Sequence, residues 1–274
     1  MTDNLKFSVS MNVYHGDDPQ WFREAVDSVL NQTAVPDEIV VVVDGPVPPE
    51  LEEIISAFEG QSPFVIVRLP ENTGHGNARR IGMEKSSHEL VAIMDSDDLC
   101  LPDRFEKQLA VFRDQPNVSA VGGQIAEFLD TTDNVVGIRA VPLTNEEIRE
   151  YIKTRCPMNQ VTVMLKKSDI QAVGGFLDWF CNEDYYLWLR MYLADMEFAN
   201  VPDILVNVRV GRDMYKRRGG TAYFKSEYRL QKYMRRKRII GYGTYVMNVA
   251  KRLILQLLMP NWMRAIVYRK LARQ

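Results

Sequence analysis

Short apolar runs rich in valine and isoleucine alternate with segments of helical periodicity along the first two thirds of the chain. The runs predict strands at Phe7–Tyr14, Glu38–Asp44, Phe64–Leu69, Leu90–Met94, Ser119–Phe128 and Val161–Lys166. The intervening segments predict helices at Pro19–Asn31, Pro49–Glu59, Gly76–Ser86 and Asp103–Asp114, with a later helix at about Asp184–Asp195. Strands and helices that alternate on this scale predict an α/β fold with a mostly parallel sheet flanked by helices.

The pattern changes after about residue 209. Apolar residues recur at helical spacing from Val246 to Leu258, Pro260 interrupts them, and a second stripe runs from Trp262 to Leu271. Lysines and arginines flank both stripes. This pattern predicts two basic amphipathic helices in the last part of the sequence.

The charge distribution divides the chain at the same point. Of the 274 residues, 46% are hydrophobic and 26% are charged, which is ordinary for a soluble globular protein. The net charge is only −2, yet residues 209–274 carry 18 lysines and arginines against two acids, and residues 1–208 carry a balance of −18. We therefore predict a main domain at 1–208 and a basic helical extension at 209–274. The acidic part suits cations, and the basic part suits phosphates or an anionic membrane surface.

The spacing of the cysteines and the hydropathy of the chain indicate the cellular compartment. Cys100, Cys156 and Cys181 are widely spaced and form no CxxC pair, which predicts neither a disulfide framework nor a zinc knuckle. A reducing cytoplasm is therefore the expected compartment. The N-terminus lacks a charged segment followed by an apolar core, and no apolar run approaches the roughly 18 residues needed to span a bilayer. We expect neither a secretory signal nor a transmembrane segment.

Acidic residues follow the fourth predicted strand at its carboxyl end, where open parallel sheets bind ligands. The segment reads Asp95-Ser96-Asp97-Asp98, directly after Met94. Carboxylates at i and i+2 suit a hard divalent cation such as Mg²⁺ or Mn²⁺, whose shell is completed by water and phosphate oxygens. A solvated acidic loop before the next helix is the alternative, and this segment by itself leaves both interpretations open.

A glycine- and arginine-rich segment, NTGHGNARR, joins the third strand to its helix. Glycines permit close approach of the backbone, and a helix N-terminus attracts anions. Arg79 and Arg80 lie in the first turns, where the helix dipole does not favour cations. We expect at least one of them to have an anionic partner, either a diphosphate or the acidic rim of the sheet.

A third segment places Glu183 and Asp184 at the start of a predicted helix, after an aromatic-rich loop. A carboxylate at this position could act as a general base toward a hydroxyl. The aromatic residues Trp179, Phe180 and Tyr185 could form a wall on which a sugar stacks. The alternative is a helix start whose acids complement the dipole and whose aromatic face is buried.

Taken together, the motifs resemble those of family 2 glycosyltransferases, in order and spacing, over about residues 7–205. The resemblance rests on SVSMNVYHGDDPQWFREAVDSVLNQT, EIVVVVDGP, NTGHGNARRIG, DSDD and GGF…NEDYYLWLR. It implies a Rossmann-like GT-A fold with a nucleotide-sugar half at about 1–123 and an acceptor half at about 124–208. It also implies a single displacement that inverts the anomeric centre of the transferred sugar.

The resemblance implies roles for individual residues. Asp97 would bind the metal, with Asp95 on the nucleotide ribose or in the metal shell. Asp184 would be the catalytic base, supported by Glu183. The remaining nucleotide-sugar contacts would be Asn12, Tyr14, Asp44 and Arg79, and the basic pair Arg217 and Arg218 is a further candidate for a donor or lipid diphosphate. The second motif departs from the family, because Val43 leaves Asp44 as its only acid, and this leaves the identity of the base open.

We therefore predict a metal-dependent glycosyltransferase, of hexosyl or N-acetylhexosaminyl type, that uses Mn²⁺ or Mg²⁺ and a UDP-sugar as the expected donor. Its acceptor would be a glycan or a lipid-linked intermediate in capsule, exopolysaccharide or O-antigen biosynthesis. A nucleotidyltransferase and a non-catalytic sugar- or lipid-binding scaffold are the alternatives. The acidic YHGDDP after the first strand argues against the former, which would be expected to have a glycine-rich loop with lysine or arginine there.

The basic segment 244–274 predicts peripheral attachment to the inner face of the cell membrane, and hence a cytoplasmic location. Packing on the catalytic domain, or a homo-oligomer interface, is the alternative role for this segment. We expect no nucleic-acid partner, because the motifs of the main domain leave little reason for duplex binding.

Overall fold

The computed structural model describes residues 5–211 and 219–259. Its strands are β1 (Phe7–Val13), β2 (Glu38–Val43), β3 (Phe64–Arg68), β4 (Leu90–Met94), β5 (Leu99–Cys100), β6 (Val118–Phe128), β7 (Val135–Arg139), β8 (Met164–Lys166) and β9 (Glu197–Arg209). Its α-helices are α1 (Pro19–Leu30), α2 (Pro49–Phe58), α3 (His75–Lys85), α4 (Arg104–Asp114), α5 (Asn145–Tyr151), α6 (Lys167–Ala172), α7 (Glu183–Leu193), α8 (Thr221–Arg236) and α9 (Tyr242–Leu253). Arg217, Arg218 and the second C-terminal stripe lie outside the described residues.

A single mixed sheet connects the described strands in the order β3-β2-β1-β4-β8-β6-β9-β5, with β7 paired to β6. The first four strands are parallel, so that Met11 of β1 lies between Val41 of β2 and Met94 of β4. Beyond β4 the directions vary, because β8 is antiparallel to both β4 and β6. The predicted α/β fold is confirmed, and its parallel part brings the carboxyl ends of β1 to β4 to one edge.

The valine-rich strand β2 is covered on both faces. Ile39 and Val41 belong to the larger core cluster, whereas Val40 and Val42 pack with Ala78 of α3 on the opposite face. A strand buried on both sides reads as a continuous apolar run, which is the pattern of EIVVVV. The cover provided by α3 places the first turn of that helix beside the carboxyl edge of the sheet.

The loop after β1 is fixed by the start of α1. Asp18 is the N-cap, and its side chain accepts hydrogen bonds from the backbone N–H groups of Gln20 at 2.9 Å and Trp21 at 3.1 Å. Pro19 occupies the first helical position, where a missing N–H costs nothing. This cap holds the segment between β1 and α1 against the carboxyl edge of the sheet.

The long strand β9 was not predicted from the sequence. Pro202 stands in the middle of it, and a proline argues against a central strand. The structure accommodates the proline by a shift of register, since Gly122 of β6 pairs with Asn200 whereas Gln124 pairs with Ile204. The β-bulge carries the chain past Pro202 and allows the strand to continue to Arg209.

A second apolar cluster joins the main domain to the basic extension. Leu230 and Met234 of α8 are fully buried in the same cluster as Trp188 and Leu189 of α7. The first helix of the extension is therefore packed on the main domain. Within the described ranges, 5–211 and 219–259, no helix is long and apolar enough to cross a bilayer.

The turn after β2 requires a glycine. Gly45 has a φ of +86°, and a Cβ atom added there would lie 2.6 Å from the backbone nitrogen of Asn72. Two backbone segments therefore approach each other directly at this point. The approach places the chain before α3 against the end of β2.

We expect Gly45→Ala to destabilise the fold more than Gly60→Ala. Both glycines have positive φ, so both substitutions carry about 1–2 kcal/mol of backbone strain. Only Gly45 also meets backbone atoms, whose displacement costs a further 1–3 kcal/mol or so. Urea unfolding measures the difference, because the midpoint reports stability when the slope is unchanged. Equal midpoints for the two variants would contradict the close approach at Gly45.

Candidate functional site

Asp44, at the end of β2, holds the chain that enters α3. Its carboxylate accepts hydrogen bonds from the backbone N–H and the hydroxyl of Thr73, at 2.7 and 2.9 Å, and from the backbone N–H of Gly74 at 3.1 Å. Both carboxylate oxygens are used, and the residue is buried. Asp44 therefore orients the N-terminus of α3, and its contact with a nucleotide base stays a prediction.

Arg79 connects α3 to the end of β4 through a buried ion pair. Its Nη2 lies 2.6 Å from Asp95 Oδ1, and its side chain is only 3% exposed. The anionic partner expected for this arginine is thus the acidic rim. Its Nη1 is buried and has no hydrogen-bond partner among the residues that the structure describes. The Nη1 N–H group is a donor that a bound ligand could satisfy.

Asn12, at the end of β1, joins the same group. In the amide orientation that satisfies its neighbours, its oxygen accepts from the backbone N–H of Arg79 at 3.2 Å. Tyr14, two residues farther on, is 42% exposed and lies over Gly16. The structure thus brings Asn12, Arg79 and Asp95 together and leaves the ring of Tyr14 at the open edge of the site.

His75 is a site residue that the sequence interpretation missed. Its Nε2 accepts a hydrogen bond from Arg79 Nε at 2.7 Å and lies 4.0 Å from Glu183 Oε1. The guanidinium of Arg79, with which its Nε2 is in contact, is the main cause that lowers the pKa of His75 to about 4, although the side chain is 54% exposed, so the imidazole is neutral near pH 7. His75 therefore connects the group around Asp95 to the carboxylates at the start of α7. Its only signal in the sequence is its place at the helix start of NTGHGNARR.

Three acids, Asp17, Asp95 and Asp97, lie close together at the loop after β4. Burial, and then the charges of Asp95 and Asp17, raise the pKa of Asp97 to about 6. Burial also raises the pKa of Asp17, which accepts hydrogen bonds from the Ser96 hydroxyl at 2.9 Å and the Tyr14 N–H at 3.0 Å. Asp17 was not among the predicted site residues. The crowding of like charges is a cost that a bound cation would relieve.

These acids fit a divalent cation that also binds phosphate. Carboxylate oxygens are the ligands that Mg²⁺ and Mn²⁺ prefer, and Asp97 and Asp95 supply them. No group of three or more histidine, cysteine or acidic side chains in the described part of the chain could hold a metal by itself. A magnesium-type ion commonly takes only one or two protein carboxylates and fills its shell with water and substrate phosphates.

Asp98 is the acid of this loop that is hydrogen-bonded to the sheet. It is buried, and its carboxylate accepts a hydrogen bond from the backbone N–H of Arg209 at 2.8 Å. Burial, and then the charges of Asp97 and Asp95, raise its pKa well above the usual range. Asp98 therefore joins the acidic loop to the end of β9.

The side chain of Arg209 completes that junction. Its Nε donates to the backbone carbonyl of Asp97 at 3.1 Å, and its Nη2 pairs with Glu24 at 2.7 Å. The guanidinium lies over the rings of Trp21 and Phe128, at 4.8 and 4.9 Å from their centroids. Arg209 thus places a fixed positive charge behind the acidic loop and holds the backbone of Asp97.

The carboxylates at the start of α7 face the first turn of α3. A Cβ atom added to Gly76 would lie 3.8 Å from Glu183 Cγ, which shows how closely the two helix starts approach. Burial, and then the charge of Asp184, raise the pKa of Glu183 to about 7. The next residue, Asp184, has its Oδ2 3.6 Å from Cys156 Sγ. A carboxyl that titrates near neutral pH is a general-base candidate.

The expected aromatic wall is only partly present. Tyr185 is buried, and its hydroxyl donates to the backbone carbonyl of Ile152 at 2.5 Å, so it belongs to the core. Trp179 is half-buried and packs on Tyr186, with ring centroids 4.5 Å apart. Phe180 is the exposed member, at 57%. The inclusion of Tyr185 was wrong because the helical period places it on the inward face of α7.

Fold and site together define a glycosyltransferase of the GT-A type. The model of glycosyl transferase family 2 matches residues 8–171, and that of glycosyl transferase family group 2 matches residues 90–271. The chain belongs to glycosyl transferase family 2. The predicted resemblance is confirmed.

Relatives match along most of their own length. An uncharacterized glycosyltransferase of Haemophilus influenzae is 43% identical over 86% of this chain and 88% of its own. The amylovoran biosynthesis glycosyltransferase AmsE of Erwinia amylovora is 37% identical over 82% of this chain and 84% of its own. The UDP-Gal:alpha-D-GlcNAc-diphosphoundecaprenol beta-1,3-galactosyltransferase of Escherichia coli is 33% identical over 99% of this chain and 98% of its own.

Solved structures share the fold. S. aureus TarS 1-349 in complex with UDP has a TM-score of 0.65 at 16% identity, covering 96% of this chain and 74% of that one. The same protein in complex with UDP-GlcNAc has a TM-score of 0.63 at 17% identity, covering 98% and 82%. At this level of identity the likeness establishes the architecture.

We expect Glu183→Gln to stabilise the protein at pH 8 but not at pH 4. The pKa rises from 4.5 to about 7 on folding, so the folded state holds this proton more tightly and loses stability as the pH rises between those values. Removing the charge should recover up to about 3 kcal/mol at pH 8. Thermal unfolding at both pH values measures the effect, with Glu53→Gln, at an exposed glutamate, as the control. If Glu183→Gln changes the melting temperature by the same amount at both pH values, the raised pKa of Glu183 is refuted.

Proposed function

We propose that the protein transfers a sugar from a UDP-sugar to a hydroxyl of a lipid-linked acceptor, with inversion, in the synthesis of a surface polysaccharide. The observation that carries the proposal is the junction at His75, where the nucleotide-side group of Arg79 and Asp95 meets Glu183 of the acceptor side. The relatives support the choice of substrates. The Escherichia coli relative is named for a UDP-Gal donor and a diphosphoundecaprenol acceptor, and AmsE for amylovoran biosynthesis.

The donor would bind along the carboxyl edge of the parallel strands. Asn12, Tyr14 and Asp44 are the proposed contacts of the nucleoside, and the buried Nη1 of Arg79 has an N–H available for the base or diphosphate. Arg217 and Arg218 remain proposed diphosphate contacts, on sequence grounds. The domain division at 1–208, with its two halves, is part of the same proposal.

Asp97 and Asp95 would hold the Mn²⁺ or Mg²⁺ ion. When bound, the ion supplies a Lewis acid beside the diphosphate, where negative charge develops as the sugar leaves. Arg209 and Asp98 keep the backbone of the loop in place for this role. The pKa of about 6 for Asp97 means that the free carboxyl is largely ionised, and ready to bind a cation, above neutral pH.

The transfer itself would be a single displacement. Asp184 takes the proton of the acceptor hydroxyl, and the oxygen forms a bond to the anomeric carbon as the bond to the β-phosphate oxygen breaks. The electron pair of that bond leaves with UDP, and the anomeric centre is inverted. Glu183, whose pKa is about 7, supports the base by limiting the charge that accumulates beside it.

The acceptor and the basic extension together suggest where the protein works. An undecaprenol-linked acceptor is confined to the bilayer, so a protein that glycosylates it must work at the membrane surface. The extension combines apolar stripes with 18 lysines and arginines. We therefore propose a cytoplasmic protein that is peripheral on the inner face of the cell membrane. Membership of the glycosyltransferase family disfavours a nucleotidyltransferase, and the non-catalytic scaffold is the alternative that experiment must separate.

We expect UDP with Mn²⁺ to raise the melting temperature, and GDP or dTDP to raise it less. Ligand at 100 times its Kd adds about 2.7 kcal/mol, or roughly 5–10 °C for a domain of this size. Asp97→Asn should remove the Mn²⁺-dependent part of the shift, whereas Asp133→Asn, at an exposed loop acid, should keep it. An undiminished Mn²⁺-dependent shift in Asp97→Asn would contradict the metal assignment. The donor assignment fails if no nucleotide shifts the wild-type protein.

We expect Asp184→Asn to lower the rate of sugar transfer by at least about 100-fold, because a general base contributes 10²–10⁴-fold. The shift caused by UDP with Mn²⁺ should persist, since the residue lies on the acceptor side. Release of UDP, measured with a synthetic diphosphate-linked acceptor, reports the rate. An unaffected rate would exclude Asp184 as the base, and no transfer by the wild-type protein with any acceptor would favour the scaffold.

A further inference from the structure

Helix α9 and the π-helix that continues it (Ile254–Leu258) are packed inside out. Asn248 is 3% exposed, whereas its apolar neighbours Val246 and Met247 are 46% and 57% exposed. An amphipathic helix on a globular domain normally buries its apolar stripe. Here the exposed side carries an apolar face formed by Tyr242, Val246, Met247, Leu253, Ile254, Leu257 and Leu258.

A polar seam, formed by Glu227, Gln231, Asn248 and Arg252, fixes this orientation. Asn248 Nδ2 donates to Gln231 Oε1 and to the backbone carbonyl of Lys153, both at 2.9 Å. Arg252 Nε donates to Glu227 Oε2 at 2.5 Å, and these two side chains are 13% and 9% exposed. Rotating α9 to bury its apolar face would leave these buried groups unpaired, at a cost of several kcal/mol.

The surrounding charges select the occupant of the apolar face. Between Glu227 and the end of the described residues the chain contains eight lysines and arginines and no acid, and of these Arg252 is paired with Glu227 in the seam. The turn between α8 and α9 exposes Arg235, Arg236, Lys237 and Arg238. Anionic lipid headgroups complement such a surface, at about 1 kcal/mol for each cation near the membrane. A second copy of the chain would bring the same cations together and be repelled.

The seam also connects the apolar face to the acceptor side of the site. Ser226, next to Glu227 on α8, accepts hydrogen bonds from Asn182 Nδ2 at 3.1 Å and, through its carbonyl, from Trp179 Nε1 at 3.4 Å. These residues form the loop that leads into Glu183. One turn of α8 therefore holds both the loop before the proposed base and the helix that carries the apolar face.

We propose that the apolar face of α9 inserts into an anionic bilayer, and that the polar seam is the device that presents this face outward. The proposal rests on the proposed function, because it supplies the surface on which a lipid-linked acceptor would be met. It goes further by assigning the contact to one face of one helix and by naming the buried groups that orient it.

Flotation of the full chain with vesicles of phosphatidylcholine and phosphatidylglycerol (7:3) tests the apolar face. Met247→Gln with Leu258→Gln should lower the partition coefficient at least tenfold, since both side chains are more than half exposed and the fold does not need them. The matched control is Val35→Gln with Val135→Gln, at exposed apolar positions outside α9, which should bind as the wild type does. Equal binding by both double variants would overturn the proposal and direct attention to residues 260–274. Sedimentation tests the other occupant. A wild-type oligomer that binds no vesicles and is dissociated by Met247→Gln with Leu258→Gln would overturn the proposal in favour of a second copy of the chain.

A second variant tests the seam. Glu227→Met with Arg252→Met keeps the net charge and replaces a buried ion pair by apolar side chains of similar size, which proteins commonly tolerate. We expect an unchanged melting temperature with weaker vesicle binding, because the Arg252–Glu227 contact is gone and only the hydrogen bonds of Asn248 still orient α9. Unchanged vesicle binding would overturn the orienting role of this ion pair.

Transfer to a water-soluble acceptor separates this proposal from the proposed function. The variant with Met247→Gln and Leu258→Gln should keep its rate with the soluble acceptor and lose at least tenfold with an acceptor held in vesicles. If the wild-type protein binds vesicles but transfers no sugar, the proposed function is refuted and the membrane contact of the apolar face is not. If it transfers sugar to the soluble acceptor but does not bind vesicles, only the membrane contact of the apolar face is refuted.

Discussion

The buried ion pair between Arg79 and Asp95 is the interaction on which the site depends. At 2.6 Å and with the arginine side chain 3% exposed, it joins the helix that covers the sheet to the strand that ends in the acidic loop. Removing Asp95 would leave the buried charge of Arg79 uncompensated, which typically costs about 3–5 kcal/mol. The same guanidinium keeps His75 neutral and so allows the imidazole to lie between the two halves of the site.

The two halves of the site share one electrostatic feature. Asp97, on the proposed nucleotide side, and Glu183, on the proposed acceptor side, each lie beside other acids in a partly buried position, and the pKa of each carboxyl is raised for that reason. Such positions are unfavourable for a protein that only has to fold, and they are common where a cation or a proton is to be received. Arg209 and Asp98 offset part of this cost, because their hydrogen bonds hold the acidic loop against β9.

The extension reverses the usual relation between polarity and burial. Its first helix, α8, is part of the apolar core with α7, whereas α9 packs only Tyr245 against that core and is otherwise attached through Asn248, Arg252 and their partners. Because α8 also holds the loop before Glu183, the acceptor side and the exposed apolar face are parts of one rigid arrangement of contacts. The proposed membrane contact and the proposed acceptor site are therefore connected through α8.

Much of the fold could be predicted from local sequence. The alternation of apolar runs and helical stripes identified β1 to β4 and the helices that follow them, because a strand buried on both faces and an amphipathic helix have distinct periods. The prediction failed where distant partners override the local signal. Pro202 hid β9, whose bulge exists only against β6, and the strand expected from Val161 begins only at Met164 because Gln160–Thr162 forms a 3₁₀ turn.

The sequence by itself determined the family, the acidic loop and the amphipathic character of the extension, since each is a matter of residue type and spacing along one segment. Tertiary structure alone decided how those segments are used. It turned Asp98 toward Arg209, inserted His75 between Arg79 and Glu183, and rotated α9 so that Asn248 is buried and Met247 is not. The first and third outcomes depend on hydrogen bonds between residues far apart in the chain, and the second on the approach of His75 to Glu183, at 4.0 Å, from a distant segment. Such partners cannot be recognised until the fold brings them within reach.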